Sequence, residues 1–175
     1  MRAKPHADDR NSLRLSIDND MVEKKSRLVH VALLNLNLRF LENWRSAQIG
    51  SGRAALDYES LMILMATIVI SAERVVRTEL DPDLQTLAQQ LPASKVTKVN
   101  LSSIAAATAL NRETVRRKVN ALEKEGWLIR DKVGIRTVHG VVPYDRLRGI
   151  IGAQLDALTR TVNLLSKLAV LTANR

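Results

Sequence analysis

The chain contains no cysteine. Disulfides, thiol redox chemistry and cysteine-ligated metals are therefore excluded. Its three histidines, His6, His30 and His139, are scattered, with no carboxylate near them at metal-ligand spacing. Neither a metal nor a cofactor is expected. Glycine is sparse, and only Gly50 and Gly52 precede Gly126. The "GSG" around Ser51 lacks the Lys-Ser or Lys-Thr of a phosphate loop, so it reads as a hinge or turn. Ser102 and Ser103 lack the glycine pattern of a nucleophile elbow. Asp81 and Asp83 flank a proline as helix-boundary residues do. Nothing assembles an active site, and no enzyme is expected. Long apolar runs are missing too: "LMILMATIVI", Leu61 to Ile70, is about half the ~20 residues needed to span a bilayer. The opening "MRAKPHADDRNSLR" has no apolar segment behind its basic residues, so no signal peptide is expected. The expectation is a cytoplasmic protein with no membrane contact.

Positive charge is what the chain has in excess. Lysine and arginine number 27 against 18 acidic residues, a net charge of +9. That balance points to an anionic partner, nucleic acid ahead of a membrane surface. An apolar fraction of 46% in 175 residues supports one domain with a real core, or one with helical extensions.

Four regions follow along the chain. Residues 1–19 are polar and aperiodic, and are expected to be a mobile arm. Residues 20–94 are expected to be a helical dimerisation or regulatory region. Within it, "LNLNLRF" alternates like a strand, with Leu34, Leu36, Leu38 and Phe40 on one face. The same block offers Val31, Leu34, Leu38, Leu41 and Trp44 at helical spacing. Its length, and the lack of an internal turn signal, favour a helix over Met21 to Ile49. Asp57 reads as the N-cap of a second helix running to about Leu80, with Met62 and Met65 in its core face. A short helix near Leu84 to Leu91 and a brief strand over Lys95 to Val99 come next. Residues 95–143 carry the function, and 144–175 read as a C-terminal dimerisation helix.

In the third region, "NLSSIAAATAL" forms a short helix with Ser102 as its expected cap. Asn111 caps the next helix, over 112–125, where Val115, Val119 and Leu122 make one apolar stripe and Gly126 is the C′ stop. Two helices joined by such a turn form a helix-turn-helix. "WLIRDKVGIRTVHGVVP" then reads as strand, turn, strand: Trp127 to Arg130, a turn over Asp131 to Gly134, and Ile135 to Val142. This hairpin is a wing, with Arg130, Lys132 and Arg136 at or near its tip for phosphate contact. The expected fold is mainly α with a small β-hairpin wing, a winged helix-turn-helix flanked by N- and C-terminal helices.

With the Val115 stripe facing inward, Glu113, Arg117, Asn120 and Lys124 point away from the core. Arg112 and Arg116 lie on one flank, Thr114 and Lys118 on the other. Arg, Glu, Thr and Asn can read base edges in the major groove. The expected DNA-contacting set is Ser102, Arg112, Glu113, Thr114, Arg116, Arg117, Asn120 and Lys124, with Arg130, Lys132 and Arg136 on the wing. The bland alternative is a solvated helix in which Glu113 pairs with Arg117, worth roughly 0.2–0.5 kcal/mol.

The stretch "NRETVRRKVNALEKEGWL" resembles the recognition helix of the catabolite-activator family of bacterial regulators, whose pattern is R-E-T-V-x-R. That resemblance implies base contacts by Arg112, Glu113 and Arg117. It is confined to the helix-turn-helix. No glycine-rich β-roll for a cyclic nucleotide precedes it, so cyclic-nucleotide control does not carry over. The layout, with helices before and after a central winged helix, looks more like MarR-type regulators.

In the tail, Ile151, Leu155, Leu158, Val162, Leu165 and Ala169 alternate spacings of four and three, a heptad seam for a twin subunit. Ile150, Leu164, Leu168 and Leu171 widen it into a face that also serves the chain's own helices. A sequence-specific, homodimeric regulator of transcription on double-stranded DNA is the reading. A protein-interaction winged helix in a larger complex, or a replication or partition initiator, are its alternatives. Any effector is expected to be small and apolar, bound between the N-terminal helices and the winged region.

Overall fold

A computed structural model describes residues 14–48, 55–77, 82–86, 89, 92–132 and 134–174. The chain is mostly helical and divides into two compact units, residues 47–148 and an enclosing unit of 1–46 with 149–175. No described helix is long and apolar enough to cross a membrane.

In the inner unit, Asp57 accepts a hydrogen bond from the Ser60 amide (2.9 Å) and so starts helix α3, Tyr58–Arg77. The inward face of α3 buries Leu61, Ile63, Leu64 and Thr67, whose hydroxyl donates to the Ile63 carbonyl (2.8 Å). Met62 is exposed rather than in the core. The short helix expected near Leu84 is a single 3₁₀ turn over Pro82–Gln85, and its further residues lie partly outside the described ones. No strand forms over Lys95 to Val99. Ala93–Lys95 is a 3₁₀ turn, and the Val99 carbonyl accepts from the Ile135 amide (2.9 Å) as an isolated bond.

Two short helices follow, α4 over Leu101–Thr108 and α5 over Arg112–Lys124. Asn100, not Ser102, caps α4. Its side chain accepts from the Ser103 amide (2.9 Å), while the Ser103 hydroxyl accepts from the Asn100 amide (3.0 Å), a reciprocal box unavailable to Ser102. Asn111 caps α5 as expected, accepting from the Glu113 amide (2.8 Å). Helix α5 ends in a Schellman turn: Trp127 N–H donates to the Leu122 carbonyl (2.8 Å), with Gly126 at φ 72°. Strands β2, Leu128–Asp131, and β3, Gly134–Thr137, form an antiparallel hairpin with Ile129 opposite Arg136 and Arg130 opposite Ile135. The second strand is shorter than expected. Beyond Thr137 the chain turns, Gly140 taking φ 71°, and Val141 and Val142 pack on the core. Ile63, Leu64, Val99, Ile104, Val115, Val119, Leu122, Trp127, Leu128 and Ile135 close that core. At Gly134, φ is 124° and an added Cβ would lie 2.6 Å from the Val99 oxygen, so only glycine fits.

In the enclosing unit, the last residues of the expected arm form a strand and a helix start rather than mobile chain. β1, Arg14–Ile17, pairs antiparallel with β4, Leu171–Asn174, Ile17 opposite Leu171. Residues 1–13 lie outside the described ones. The helical block that follows is two helices, α1 over Asn19–Lys24 and α2 over Ser26–Gln48, broken at Lys25 (φ −117°). Lys25 donates from Nζ to the Leu168 carbonyl (2.9 Å), a cation at the C-terminus of α6, Tyr144–Lys167. The expected tail helix to about Thr172 therefore stops at Lys167. Ala169 turns the chain at φ 57° into β4, and is no part of a seam. Val29, Ala32, Leu165 and Val170 form the buried cluster here. This corrects one seam residue: Leu165, 7% exposed, packs within its own chain. On α2 the helical spacing holds, but its inward face is set by Val29, Ala32 and Trp44. Val31, Leu34 and Leu38 stay exposed.

Candidate nucleic-acid interface

Helix α5 has two opposed faces. Val115, Val119 and Leu122 are wholly buried, while Arg112, Glu113, Arg116, Arg117 and Lys124 are exposed and Thr114 and Asn120 half-buried. Ser102 is exposed in the first turn of α4.

The ion pairs on this surface differ from the i,i+4 pair expected. Glu113 bonds Arg116, one turn on, through Nε (2.9 Å) and again through Nη2. That hydrogen bond holds the Glu113 carboxyl below, and the Arg116 guanidinium above, its ordinary range. The Arg117 side chain makes no hydrogen bond among the described residues and adds only a weaker Coulombic attraction to Glu113. Among the described residues Arg112, Arg117 and Lys124 carry unpaired cationic heads on this helix.

On the hairpin, the residues expected at its tip are used in different ways. Arg130 reaches back to α5, donating from Nη2 to Glu123 (3.0 Å) and to Asn120 (3.3 Å). Arg136 donates to Asp131 on the other face of the ribbon (2.9 Å from Nε). Lys132, in the turn, is exposed and makes no ion pair among the described residues.

Lys118 lies on the flank opposite Arg112 and is drawn inward, its side chain 15% exposed. Its ammonium donates to Asp57 and lies 3.4 Å from Glu59, tying α5 to the first turn of α3. The bond from Lys118 holds the Asp57 carboxyl below the usual carboxylate range, and Asp57 in turn raises Lys118. Sequence reading missed Glu123, Asp131 and the Lys118–Asp57 tie. No local signal in the sequence marks Glu123 or Asp131 as partners of arginine, and Asp57 stands 61 residues from Lys118.

A shallow open groove of about 550 Å³ runs along α1 and α2, lined by Val22, Ser26, Arg27, Val29, His30 and Leu33. Charged and apolar side chains mix in its lining, which belongs to the N-terminal helices alone. No group of three or more His, Asp or Glu among the described residues is placed to hold a metal ion. Set against models of protein families, curated proteins and solved structures, the chain matches none.

Proposed function

We propose that the chain is a winged helix-turn-helix protein that binds double-stranded DNA sequence-specifically, as a homodimer, and regulates transcription. Helix α5 is the reading helix, entering the major groove by its N-terminal turns, and the β2–β3 hairpin is the wing. One observation carries this reading: α5 buries one face completely in the core and, among the described residues, presents Arg117 and Lys124 unpaired on the opposite face and Arg112 unpaired on its flank. Paired surface arginines are ordinary, whereas unpaired cations on a capped, rigid helix leave their donors open to base edges and phosphates. Lys132 in the wing turn extends the cationic surface toward the backbone. Likeness to the catabolite-activator recognition helix gives Arg112, Glu113 and Arg117 base-reading roles. The Glu113–Arg116 pair favours Arg112 and Arg117 among them.

Electrophoretic retardation at rising salt, followed by selection of bound sites from random duplexes, tests the proposal. The expected result is a selected site bound about 10³-fold or more tightly than random DNA, both weakening steeply with salt. Absence of any retarded duplex at low salt would defeat it and favour a protein-interaction role for the arginines.

A further inference from the structure

We infer that Glu123 is a specificity-determining residue. Its carboxylate holds the Arg130 guanidinium off the phosphate backbone until α5 lies in register on its site. The inference rests on the DNA-binding reading above and assigns a role to an acid which that reading leaves unused.

Glu123 sits in the last turn of α5, one turn beyond Asn120, and the two together receive Arg130 from β2 at 3.0 and 3.3 Å. The Glu123 side chain is 24% exposed and that of Arg130 44%, so the carboxylate is half-buried while the guanidinium faces solvent. Asn120 in turn lies one turn beyond Arg117 on the outward face of α5, and Glu123 lies on the flank shared with Arg112 and Arg116. Arg130 is therefore next to the surface proposed to meet DNA, with its charge cancelled in the free protein.

Non-specific affinity for duplex DNA depends on the number of cations free to displace counterions from phosphates. In the free protein that number includes Arg112, Arg117, Lys124 and Lys132, and leaves out Arg130. Releasing Arg130 strips a partly buried carboxylate of its partner, which is unfavourable unless a phosphate replaces it at once. On a matched site the contacts of α5 hold a phosphate within reach, and the exchange goes forward. On random sequence the helix is not seated, and Glu123 keeps its arginine. Discrimination is built by weakening the wrong complex rather than by strengthening the right one.

The test uses the full chain and Glu123→Gln, which keeps the shape and removes the charge. Binding to a random duplex and to a selected duplex is followed by fluorescence anisotropy over a range of salt. The expected result is a several-fold gain in random-duplex affinity, a salt slope steeper by about 0.9 per chain, and a lower selected-to-random ratio. Adding Arg130→Gln to that variant should abolish the gain. Glu125→Gln makes the same charge change at the C-cap of α5 and should leave the slope where it was. An unchanged slope for Glu123→Gln overturns the inference. So does uniform weakening on all DNA, a gain that survives Arg130→Gln, or an equal gain in Glu125→Gln. Failure of the unaltered chain to bind any duplex overturns the DNA reading and takes this inference with it. A chain that binds while Glu123→Gln changes nothing overturns this inference alone.

Discussion

At the scale of the residue, cations that look alike in the sequence are sorted by their partners. Arg116, Arg130 and Arg136 each have a carboxylate, and Lys118 has two. Arg117 and Lys132 are hydrogen-bonded to none among the described residues, and they should behave differently from each other. Arg117→Ala should cost ~1–3 kcal/mol per half-site and relax preference at one base pair, measured on a panel of single-base variants of the selected site. Lys132→Ala should weaken binding to all sequences alike and flatten the salt slope by about one charge. If Arg117→Ala left base preference intact, another face of α5 would be in the groove. The Lys118–Asp57 pair makes a separate prediction about stability. Asp57 is held low, so its contribution is complete above the unfolded carboxylate range and is lost as pH falls through its folded value, below about pH 4. Lys118 is held high, so its contribution is complete below its unfolded value and lost only as pH climbs past about 10. Asp57→Asn keeps a good cap for α3 but drops the charge. Its melting temperature should sit below that of the unaltered chain by a constant amount from about pH 5 to 9, and converge with it in acid. A deficit that persists unchanged at pH 3 would show that the charge is not the cause.

At the scale of the element, signals that lie close together in the chain were legible and distant ones were not. Asn111, the Val115–Val119–Leu122 stripe and Gly126 delimit α5 within a few turns of one another, and the helix lies where they place it. Asn100 and Ser102 rank alike as caps for α4; only the reciprocal bond to Ser103 singles out Asn100. The end of α6 was hidden for another reason. Its chain reversal, like the one that closes α4 at Thr108, is made by an alanine in the left-handed region, Ala169 at φ 57° and Ala109 at φ 55°, where the usual sequence signal is glycine. Of the β2–β3 hairpin, the turn and first strand could be read from the sequence, but its ion pairs depend on which strand residues face α5. The strained alanines are testable. Ala109→Gly and Ala169→Gly should each stabilise the chain by about 1 kcal/mol in denaturant unfolding. Destabilisation in both would mean that their methyl groups pack more favourably than the backbone is strained.

At the scale of the whole molecule, apolar surface is unevenly shared. The inner unit buries its core, whereas the enclosing unit buries Val29, Ala32, Leu165 and Val170 and leaves Val31, Leu34, Leu38, Ile151, Leu155 and Leu158 exposed. Exposed apolar stripes of this extent suit an interface between copies, and Leu155 is 55% exposed. Of the residues at heptad spacing, Ile151, Leu155 and Leu158 are exposed, Val162 is half-buried and Leu165 is buried in its own chain. The two ends of that seam should respond differently. Leu155→Asp with Leu158→Asp should give monomers with little change in melting temperature. Leu165→Asp should unfold the enclosing unit at a cost of several kcal/mol, because it buries an unpaired charge. Sedimentation and thermal unfolding check both. A monomeric unaltered chain at micromolar concentration would remove the dimer.

The pairing of β1 with β4 has a consequence for the order in which the chain acquires its structure. Ile17 meets Leu171 only after every residue of the inner unit has been synthesised. The inner unit is thus an insertion nested in the enclosing one, and its local contacts can close while the enclosing ribbon still lacks half its strands. Contacts of such sequence separation form late and slowly. During translation the prospective DNA-reading part should therefore mature first, and the part prospectively joining two copies should close last, once the strand that completes it has emerged.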